Sequence, residues 1–157
     1  TGQFFTPENI SQFMAKLTFD KEPQELQEKS YSTVTDPCIG SGRMLLAYAK
    51  TLLDAGYNYC EKMVGMAVDI DITCVYMSYI QLSMYGIPAV VIHGDSIMVE
   101  EWSRWYTPAY VWGGWVFKQP MGITTEVSED DFKLQRFILS LLEEDKEKKP
   151  EELLATV

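Results

Sequence analysis

The sequence predicts a single α/β domain built on a mostly parallel sheet. Three short apolar or β-branched runs each end in a polar cluster, and two amphipathic helical patterns connect them. Buried strands that alternate with helices form parallel sheets through right-handed crossovers. The 157 residues are enough for one domain with a proper core. Ligands of such sheets bind at the carboxyl ends of the strands, where all three polar clusters fall.

The first element is a predicted helix over residues 8–16. Thr6 is the expected N-cap, and Pro7 would occupy the first helical position, where its missing N–H costs nothing. The helical period predicts a buried face on this helix. Its members are Ile10, Phe13, Met14 and Leu17. The polar residues 21–29 that follow are expected to form a loop or a weak helix.

The central part of the chain alternates strands and helices. Predicted strands cover residues 32–35, 63–68 and 89–92. Predicted helices cover residues 41–53 and 72–85, with Gly56 ending the first and Gly86 and Pro88 ending the second. The polar clusters after the strands are residues 36–42, 69–71 and 94–96. His93, next to the third cluster, is expected to be structural rather than a catalytic base.

The glycine turn at Gly40 and Gly42 indicates a nucleotide-type ligand, because it lets a ligand approach the backbone and the following helix N-terminus. A P-loop is excluded, since no Lys-Ser/Thr pair follows the glycines, and a dinucleotide site would need a third glycine. The carboxylate of Asp36 would repel a phosphate. A ligand with a cationic amino group and no phosphate, such as S-adenosylmethionine, fits better.

Each cluster offers one carboxylate to such a ligand. Asp36 would accept from the amino end, Asp69 would hold the ribose hydroxyls, and Asp95 would accept from the adenine amine. The alternative for each aspartate is a helix cap or a turn. Three clusters at one edge of the sheet favour the ligand site over three unrelated caps.

These motifs resemble those of N6-adenine DNA methyltransferases, especially the modification subunit of type I restriction systems and short relatives on mobile elements. The similar stretches are residues 2–7 (GQFFTP), 36–42 (DPCIGSG), 68–71 (VDID) and 94–96 (GDS). The resemblance covers about residues 2–97. It implies a Rossmann-like S-adenosylmethionine-dependent methyltransferase fold, truncated relative to the full fold, in the cytoplasm.

The resemblance also implies an organisation and a set of cofactor contacts. Residues 1–20 would form a lid helix, 31–97 the cofactor-binding core, 102–120 an aromatic strand or hairpin region, and 128–157 an acidic C-terminal helix and tail. The implied cofactor-binding residues are Phe5, Thr6, Pro7, Asp36, Pro37, Cys38, Gly40, Ser41, Gly42, Asp69, Ile70, Asp95 and Ser96.

The sequence departs from this family at the catalytic tetrapeptide. The family carries Asn/Asp-Pro-Pro-Tyr/Phe, whose first residue and ring hold a flipped base. The nearest stretch here is residues 118–121 (KQPM), which makes Gln119 and Pro120 the catalytic candidates. Three functions remain open: an active adenine methyltransferase completed by a diverged site or a partner, a catalytically silent cofactor-binding or regulatory subunit, and a methyltransferase for a non-DNA acceptor.

The later part of the chain is aromatic and then acidic. Residues 110–117 predict two β segments about Gly113 and Gly114, a hairpin, and a helix is expected over residues 132–142. The aromatic side chains would serve packing, base stacking or a protein interface. Residues 126–152 carry ten acidic and five basic side chains, and the net charge of the chain is −10. DNA binding by this chain alone is therefore disfavoured.

Composition further predicts the partners and the compartment. An open sheet edge needs cover, which the predicted helix over residues 132–142 or a second copy could provide, and we expect a homodimer or a heteromeric partner subunit. Three widely spaced cysteines without a CxxC argue against disulfides and zinc and for a reducing cytoplasm. The sequence contains no apolar run of about 18 residues, so we expect no transmembrane helix. The chain opens at Thr1 rather than Met, which predicts further residues upstream.

Overall fold

The computed structural model describes residues 5–19 and 31–118, together with four helical residues at 133, 136, 137 and 140. The described residues form one sheet in the order β1-β2-β3-β4. Its strands are β1 (Ser32–Asp36), β2 (Met63–Asp69), β3 (Ala89–Asp95) and β4 (Glu100–Tyr106). The first three strands are parallel, and β4 is antiparallel to β3. The prediction of an α/β fold with a mostly parallel sheet is confirmed.

Six helices accompany the sheet in the described part of the chain. They are α1 (Glu8–Thr18), α2 (Arg43–Asp54), α3 (Tyr59–Lys62), α4 (Ile72–Met84), α5 (Pro108–Trp112) and α6 (Trp115–Lys118). The predicted bounds of α1, α2 and α4 are confirmed to within two residues. Gly42 is the N-cap of α2 in a left-handed conformation (φ 86°), which glycine adopts without strain.

The sheet separates two hydrophobic clusters, so the domain has three layers. On one face, α2 and α4 contribute Leu45, Leu52, Val75 and Leu82, all with no exposed surface. On the other face, Tyr110 of α5 and Trp115 and Val116 of α6 pack against strand residues such as Val90 and Ile92. Burial of both faces explains why the central strands β2 and β3 are largely apolar runs rather than alternating patterns, whereas the outer strands β1 and β4 are more polar and less buried.

The predicted hairpin over residues 110–117 is wrong, because these residues form parts of α5 and α6. Thr107 ends β4 and donates its hydroxyl to the carbonyl of Ile87 (2.8 Å), and Pro108 then opens α5. Gly114 has φ 66° between the two helices. The aromatic residues of this segment predict β-strands, yet Tyr110 and Trp115 lie in helices and are buried against the sheet.

The first aromatic residues of the region, Trp102, Trp105 and Tyr106, lie in strand β4. It pairs with β3 through a register irregularity at His93 and Gly94. This pairing extends β3 to Asp95, whereas the sequence analysis ended that strand at residue 92 and placed residues 93–96 in the closing segment. His93 is therefore paired with both β2 and β4, whereas Gly94 and Asp95 are paired with β4 alone.

Helix α1 is oriented differently from the prediction. Pro7 is the N-cap without a side-chain cap, so the expected cap at Thr6 is wrong. The buried residues of α1 are the small Ser11 and Ala15, each 1% exposed, and α1 packs against α2. Small side chains allow this close approach. The residues expected to be buried are all exposed; they are Ile10, Phe13, Met14 and Leu17.

Several predictions fall outside the described residues. The segment 21–29 is one of them, as are residues 1–4 of the first motif and most of the predicted helix over 132–142. Within that helix, Lys133, Arg136, Phe137 and Ser140 are helical. Among the described residues, no helix combines the length and apolar character needed to cross a membrane.

Candidate ligand site at the carboxyl edge of the sheet

Asp69, the last residue of β2, joins two of the three polar clusters. Its Oδ2 accepts from the N–H of Gly40 at 2.8 Å, and its Oδ1 accepts from the N–H of Asp71 at 2.9 Å. The N–H of Ile39 also donates to the carbonyl of Val68 at 2.9 Å. Asp69 is 6% exposed, so these charge-assisted bonds fix the glycine turn on the end of β2.

The glycine turn lies against the segment that precedes α1. Gly40 has φ 54°, and a Cβ placed on it would lie 3.6 Å from Cδ1 of Phe5, so the Phe5 ring covers the turn. A Cβ on Gly42 would lie 3.4 Å from Cβ of Ser78 in α4. Ser41 between them is buried, whereas Thr6 and Pro7 are exposed beside Phe5. Phe5 therefore lies next to the glycine turn.

Asp36 ends β1 and makes the site acidic. Its Oδ1 accepts from the N–H of Cys38 at 3.1 Å across a turn that also holds the exposed Pro37. Burial raises the pKa of Asp36 above its ordinary value; the bond from Cys38 lowers it, and the charge of Asp69 raises it further. A cation placed beside this pair of carboxylates would relieve both their desolvation and their mutual repulsion.

His93 joins the third strand to the same network. It is the register partner of Asp69, and its Nε2 lies 3.2 Å from the carbonyl oxygen of Ile70, to which it donates in the tautomer protonated there. The ring of Trp102 meets His93 edge-on, with centroids 4.8 Å apart. His93 therefore has the structural role expected for it, because its side chain holds the loop that follows β2.

Asp95 organises the turn after β3. Its Oδ1 accepts from the N–H of Ile97 at 2.8 Å and from the N–H of Met98 at 3.0 Å. Ser96 is half-buried in this turn, while Ile97 is 89% exposed and Ile70, on the loop after β2, is 62% exposed. Ile97 and Met98 were not among the predicted site residues; their signal in the sequence is an aliphatic pair directly after Gly-Asp-Ser.

The structure brings the three predicted carboxylates to one edge, and it also gives each of them a local role. Asp36 and Asp95 hold turns, and Asp69 ties the glycine turn to β2. Asp71 caps α4 by accepting from the N–H of Thr73 at 2.8 Å. The cap-or-turn alternative is therefore satisfied together with the clustering. Asp36 and Asp95 hold their turns through Oδ1, and Asp69 accepts one backbone bond on each oxygen, where a second lone pair remains.

The catalytic candidates Gln119 and Pro120 lie outside the described residues. Lys118, directly before them, lies with Nζ 4.3 Å from the centroid of the Trp115 ring. Trp115 packs edge-on against Tyr31 and donates from Nε1 to the carbonyl of Cys60 at 3.3 Å. Tyr31 and Cys60 precede β1 and β2, so Lys118 lies at the amino ends of the strands, about 20 Å from the aspartates for a seven-residue strand.

A separate cleft of about 460 Å³ lies between α1, α2 and the end of α4. Its walls include Arg43, Lys50, Gln81 and Tyr85, and Arg43 approaches Glu8 at 3.8 Å. None of the predicted cofactor residues lines it. The cleft is therefore distinct from the carboxyl-edge site.

The described residues form an α/β domain of the kind in which ligands generally bind at the carboxyl ends of the parallel strands. The profile of the N-6 DNA methylase family matches residues 1–139. This range is most of the chain, and the protein belongs to that family, which indicates a DNA methyltransferase-like protein. No curated protein sequence matched the chain.

Proposed function

We propose that this protein binds S-adenosylmethionine at the carboxyl edge of the sheet and acts in N6-adenine DNA methylation. The observation that carries the proposal is the bond between the Asp69 carboxylate and the Gly40 N–H, with Phe5 over the same turn. Three distant stretches of the chain are thereby assembled around one acidic edge. Family membership supports the same chemistry.

The residues present fit the cofactor. Asp36 is an acceptor for the amino group, and the raised pKa of its carboxyl, caused first by burial, indicates a site that a positive charge would stabilise. Asp69 keeps lone pairs beyond its two backbone bonds and would hold the ribose hydroxyls. Asp95 would accept from the adenine amine, and the exposed Ile70 and Ile97 would pack against its ring. The bound cofactor supplies a methyl group on a sulfonium for in-line transfer to nitrogen.

A catalytically silent cofactor-binding or regulatory subunit is the second candidate. The observation that favours it is Lys118, whose ammonium is held over Trp115 at the end of the sheet away from the aspartates. The family's Asn/Asp-Pro-Pro-aromatic tetrapeptide is absent from the sequence. A partner subunit would then supply the acceptor site. A methyltransferase for a non-DNA acceptor shares the cofactor half and differs only in the methyl acceptor.

The compartment we infer is a reducing cytoplasm. Cys38, Cys60 and Cys74 form no disulfide in the structure. Disulfides persist in oxidising compartments, so cysteines without a disulfide accord with this assignment. Fractionation of cells that contain the protein, followed by thiol labelling of the cytoplasmic fraction, tests it.

Calorimetric titration with S-adenosylmethionine tests the site directly. Asp36→Asn is the informative variant, because an amide oxygen can still accept from Cys38 while the charge is lost. We expect binding by the natural chain and at least about tenfold weaker binding by the variant, about 1.4 kcal/mol. Lys50→Gln, in the separate cleft, is the matched control and should bind like the natural chain. No binding by the natural chain would contradict the proposal.

A radiolabel transfer assay on methylation-free DNA separates the candidates. Transfer by the purified protein supports the active enzyme and excludes the silent subunit. Transfer that needs added cell extract supports a partner that completes the acceptor site. Binding without transfer to DNA under either condition supports the silent subunit, and transfer to RNA, protein or a small molecule instead supports the third candidate.

A further inference from the structure

The cleft between α1, α2 and the end of α4 is not used by the proposed cofactor site. Its volume is about 460 Å³, within the range of about 300–1,000 Å³ that small-molecule sites occupy. Four of its lining residues are buried, and three of them are apolar; they are Ser11, Ala47, Ala49 and Ile87. The cleft is therefore a depression with a buried, mostly apolar floor rather than a flat surface.

One wall of the cleft is a line of side chains along α2. Its members are Arg43, Leu46, Lys50 and Leu53, which follow one another at spacings of three and four residues. Residues at these spacings lie on one side of a helix. The ten residues from the first to the last rise about 15 Å. The cleft can therefore hold a molecule that is longer than it is wide.

The charge of the cleft differs from that of the chain. Its charged lining residues are two basic and one acidic, Arg43, Lys50 and Glu8, whereas the chain has a net charge of −10. Nη1 of Arg43 lies 3.8 Å from Oε2 of Glu8, too far for a hydrogen bond, and the two side chains are 45% and 72% exposed. The other oxygen of Glu8 accepts from Nε2 of Gln12 at 3.0 Å. The guanidinium of Arg43 therefore keeps donors for a further anion.

The cleft loses this charge toward its opposite end. Lys50, further along α2, is held by both carboxylate oxygens of Asp54, at 3.0 and 3.1 Å. Beyond it, the hydroxyl of Tyr59 donates to the carbonyl of Tyr85 at 2.8 Å, which fixes the Tyr59 ring at the wall. Gln81 is the remaining polar side chain there, and it is neutral. A ligand would therefore meet its strongest charge partner at the Arg43 end and apolar and aromatic groups beyond it.

We propose that this cleft binds a small amphipathic carboxylate, a molecule with one carboxylate on an apolar body. The carboxylate lies against Arg43, because a guanidinium binds a carboxylate through two parallel hydrogen bonds. The apolar body lies along Leu46 and Leu53 and over Ile87, where burial of its surface supplies the hydrophobic part of the affinity. None of the predicted cofactor residues lines the cleft, so this site is independent of the cofactor site.

A displacement titration tests the class of ligand. The fluorescent anion 1-anilinonaphthalene-8-sulfonate reports occupancy of the cleft, and octanoate, octanol and octylammonium compete with it. We expect octanoate to compete at least about fivefold more effectively than the other two, because it alone combines the apolar chain with a charge that Arg43 attracts.

Three variants assign the binding to the cleft. Arg43→Gln should weaken octanoate binding at least about fivefold, and Lys50→Gln should weaken it less, since Asp54 already holds that ammonium. Lys16→Gln is the matched control, because it removes the same charge from an exposed position of α1 outside the cleft, and it should bind like the natural chain. Thermal melts verify the fold of each variant, since all three side chains are exposed.

An NMR titration of the ¹⁵N-labelled chain with octanoate locates the site. We expect the amides of Leu46, Lys50 and Gln81 to shift and those of Gly40 and Asp71 to stay in place. The proposal is overturned by absence of saturable octanoate binding, by equal competition from the three octyl compounds, or by shifts confined to residues outside the cleft. A folded Arg43→Gln that binds octanoate like the natural chain overturns it too. None of these results bears on cofactor binding, which S-adenosylmethionine titrations measure separately.

Discussion

Replacement of Gly94 by alanine tests the irregularity that shapes the end of β3. A Cβ at this position would lie 2.2 Å from the carbonyl oxygen of Glu100, and 3.2 Å from both the carbonyl carbon of Glu100 and Cα of Glu101. These are backbone atoms of the paired strand, so no side-chain rotation can relieve the overlap. The cost is steric rather than conformational.

The magnitude follows from what must move. Relief of the overlap requires β4 to shift by about 1 Å, and overpacking of this kind costs about 1–3 kcal/mol. The shift also weakens the pairings of Gly94 with Glu101 and of Asp95 with Glu100, each worth about 0.5–1.5 kcal/mol in backbone hydrogen bonding. The expected loss is about 2–6 kcal/mol from a total stability of about 5–15 kcal/mol for a domain.

Urea denaturation followed by tryptophan fluorescence measures this loss. Gly65→Ala is the matched control, because Gly65 is also a buried strand glycine. A Cβ there would meet only side-chain methyls, at 3.1 and 3.2 Å from Leu45 and 3.2 Å from Ala89. We expect the control to lose about 1 kcal/mol, since Leu45 can adjust. Equal losses for the two variants, or a loss below about 0.5 kcal/mol for Gly94→Ala, would refute the reasoning.

Substitutions at three further positions should change stability in a defined direction. The raised pKa of Asp36 means that its ionisation costs stability as pH rises through the folded-state pKa, so Asp36→Asn should be more stable than the natural chain at neutral pH. That advantage should vanish below the ordinary value of 3.8, and urea midpoints at both pH values would show it. His93→Ala should lose about 1–2 kcal/mol, whereas His93→Gln, which keeps a donor for Ile70, should lose less in the same assay; equal losses would argue against the hydrogen bond. Val99 has φ 59°, a conformation that costs an L-residue about 1–2 kcal/mol, so Val99→Gly should raise the thermal midpoint, and a lower midpoint would contradict strain there.

The apolar runs and the glycine punctuation were sufficient to predict the central fold. The strand over 63–69 is an apolar run that is buried on both faces and ends in Asp-Ile. The strand over 32–36 is a β-branched run of mostly half-buried residues that ends in Asp-Pro. The crossover rule then places their carboxyl ends at one edge. For this reason the clustering of Asp36 and Asp69 was predictable from the sequence.

The orientation of α1 was not predictable from its period. The helical pattern identifies an apolar side correctly, but it cannot say which side meets the rest of the domain. Ser11 and Ala15 are the buried residues of α1, because their small side chains let α1 lie close to α2. Helix α1 has one side of large apolar residues and another side of small residues, and either could pack against the domain. Only the structure shows that the side with Ser11 and Ala15 does so.

The hairpin predicted over residues 110–117 was wrong for a different reason. Trp and Tyr favour strands as isolated residues, and Gly113-Gly114 imitates a hairpin turn. Pro108 at the first position of α5 was the contrary signal, since proline there favours a helix start. The hydrogen bond between His93 and the carbonyl of Ile70 also could not be predicted from the sequence, because it depends on the register between β2 and β3.

The most direct test of the carboxyl-edge site is an NMR titration of the ¹⁵N-labelled protein with S-adenosylmethionine. The account predicts shifts at the amides of Gly40, Asp71 and Ile97, because these donate to the Asp69 and Asp95 carboxylates that would meet the cofactor. Amides of Lys50 and Gln81 in the separate cleft should stay in place. Shifts confined to Lys50 and Gln81, or no shifts at saturating cofactor, would contradict the account.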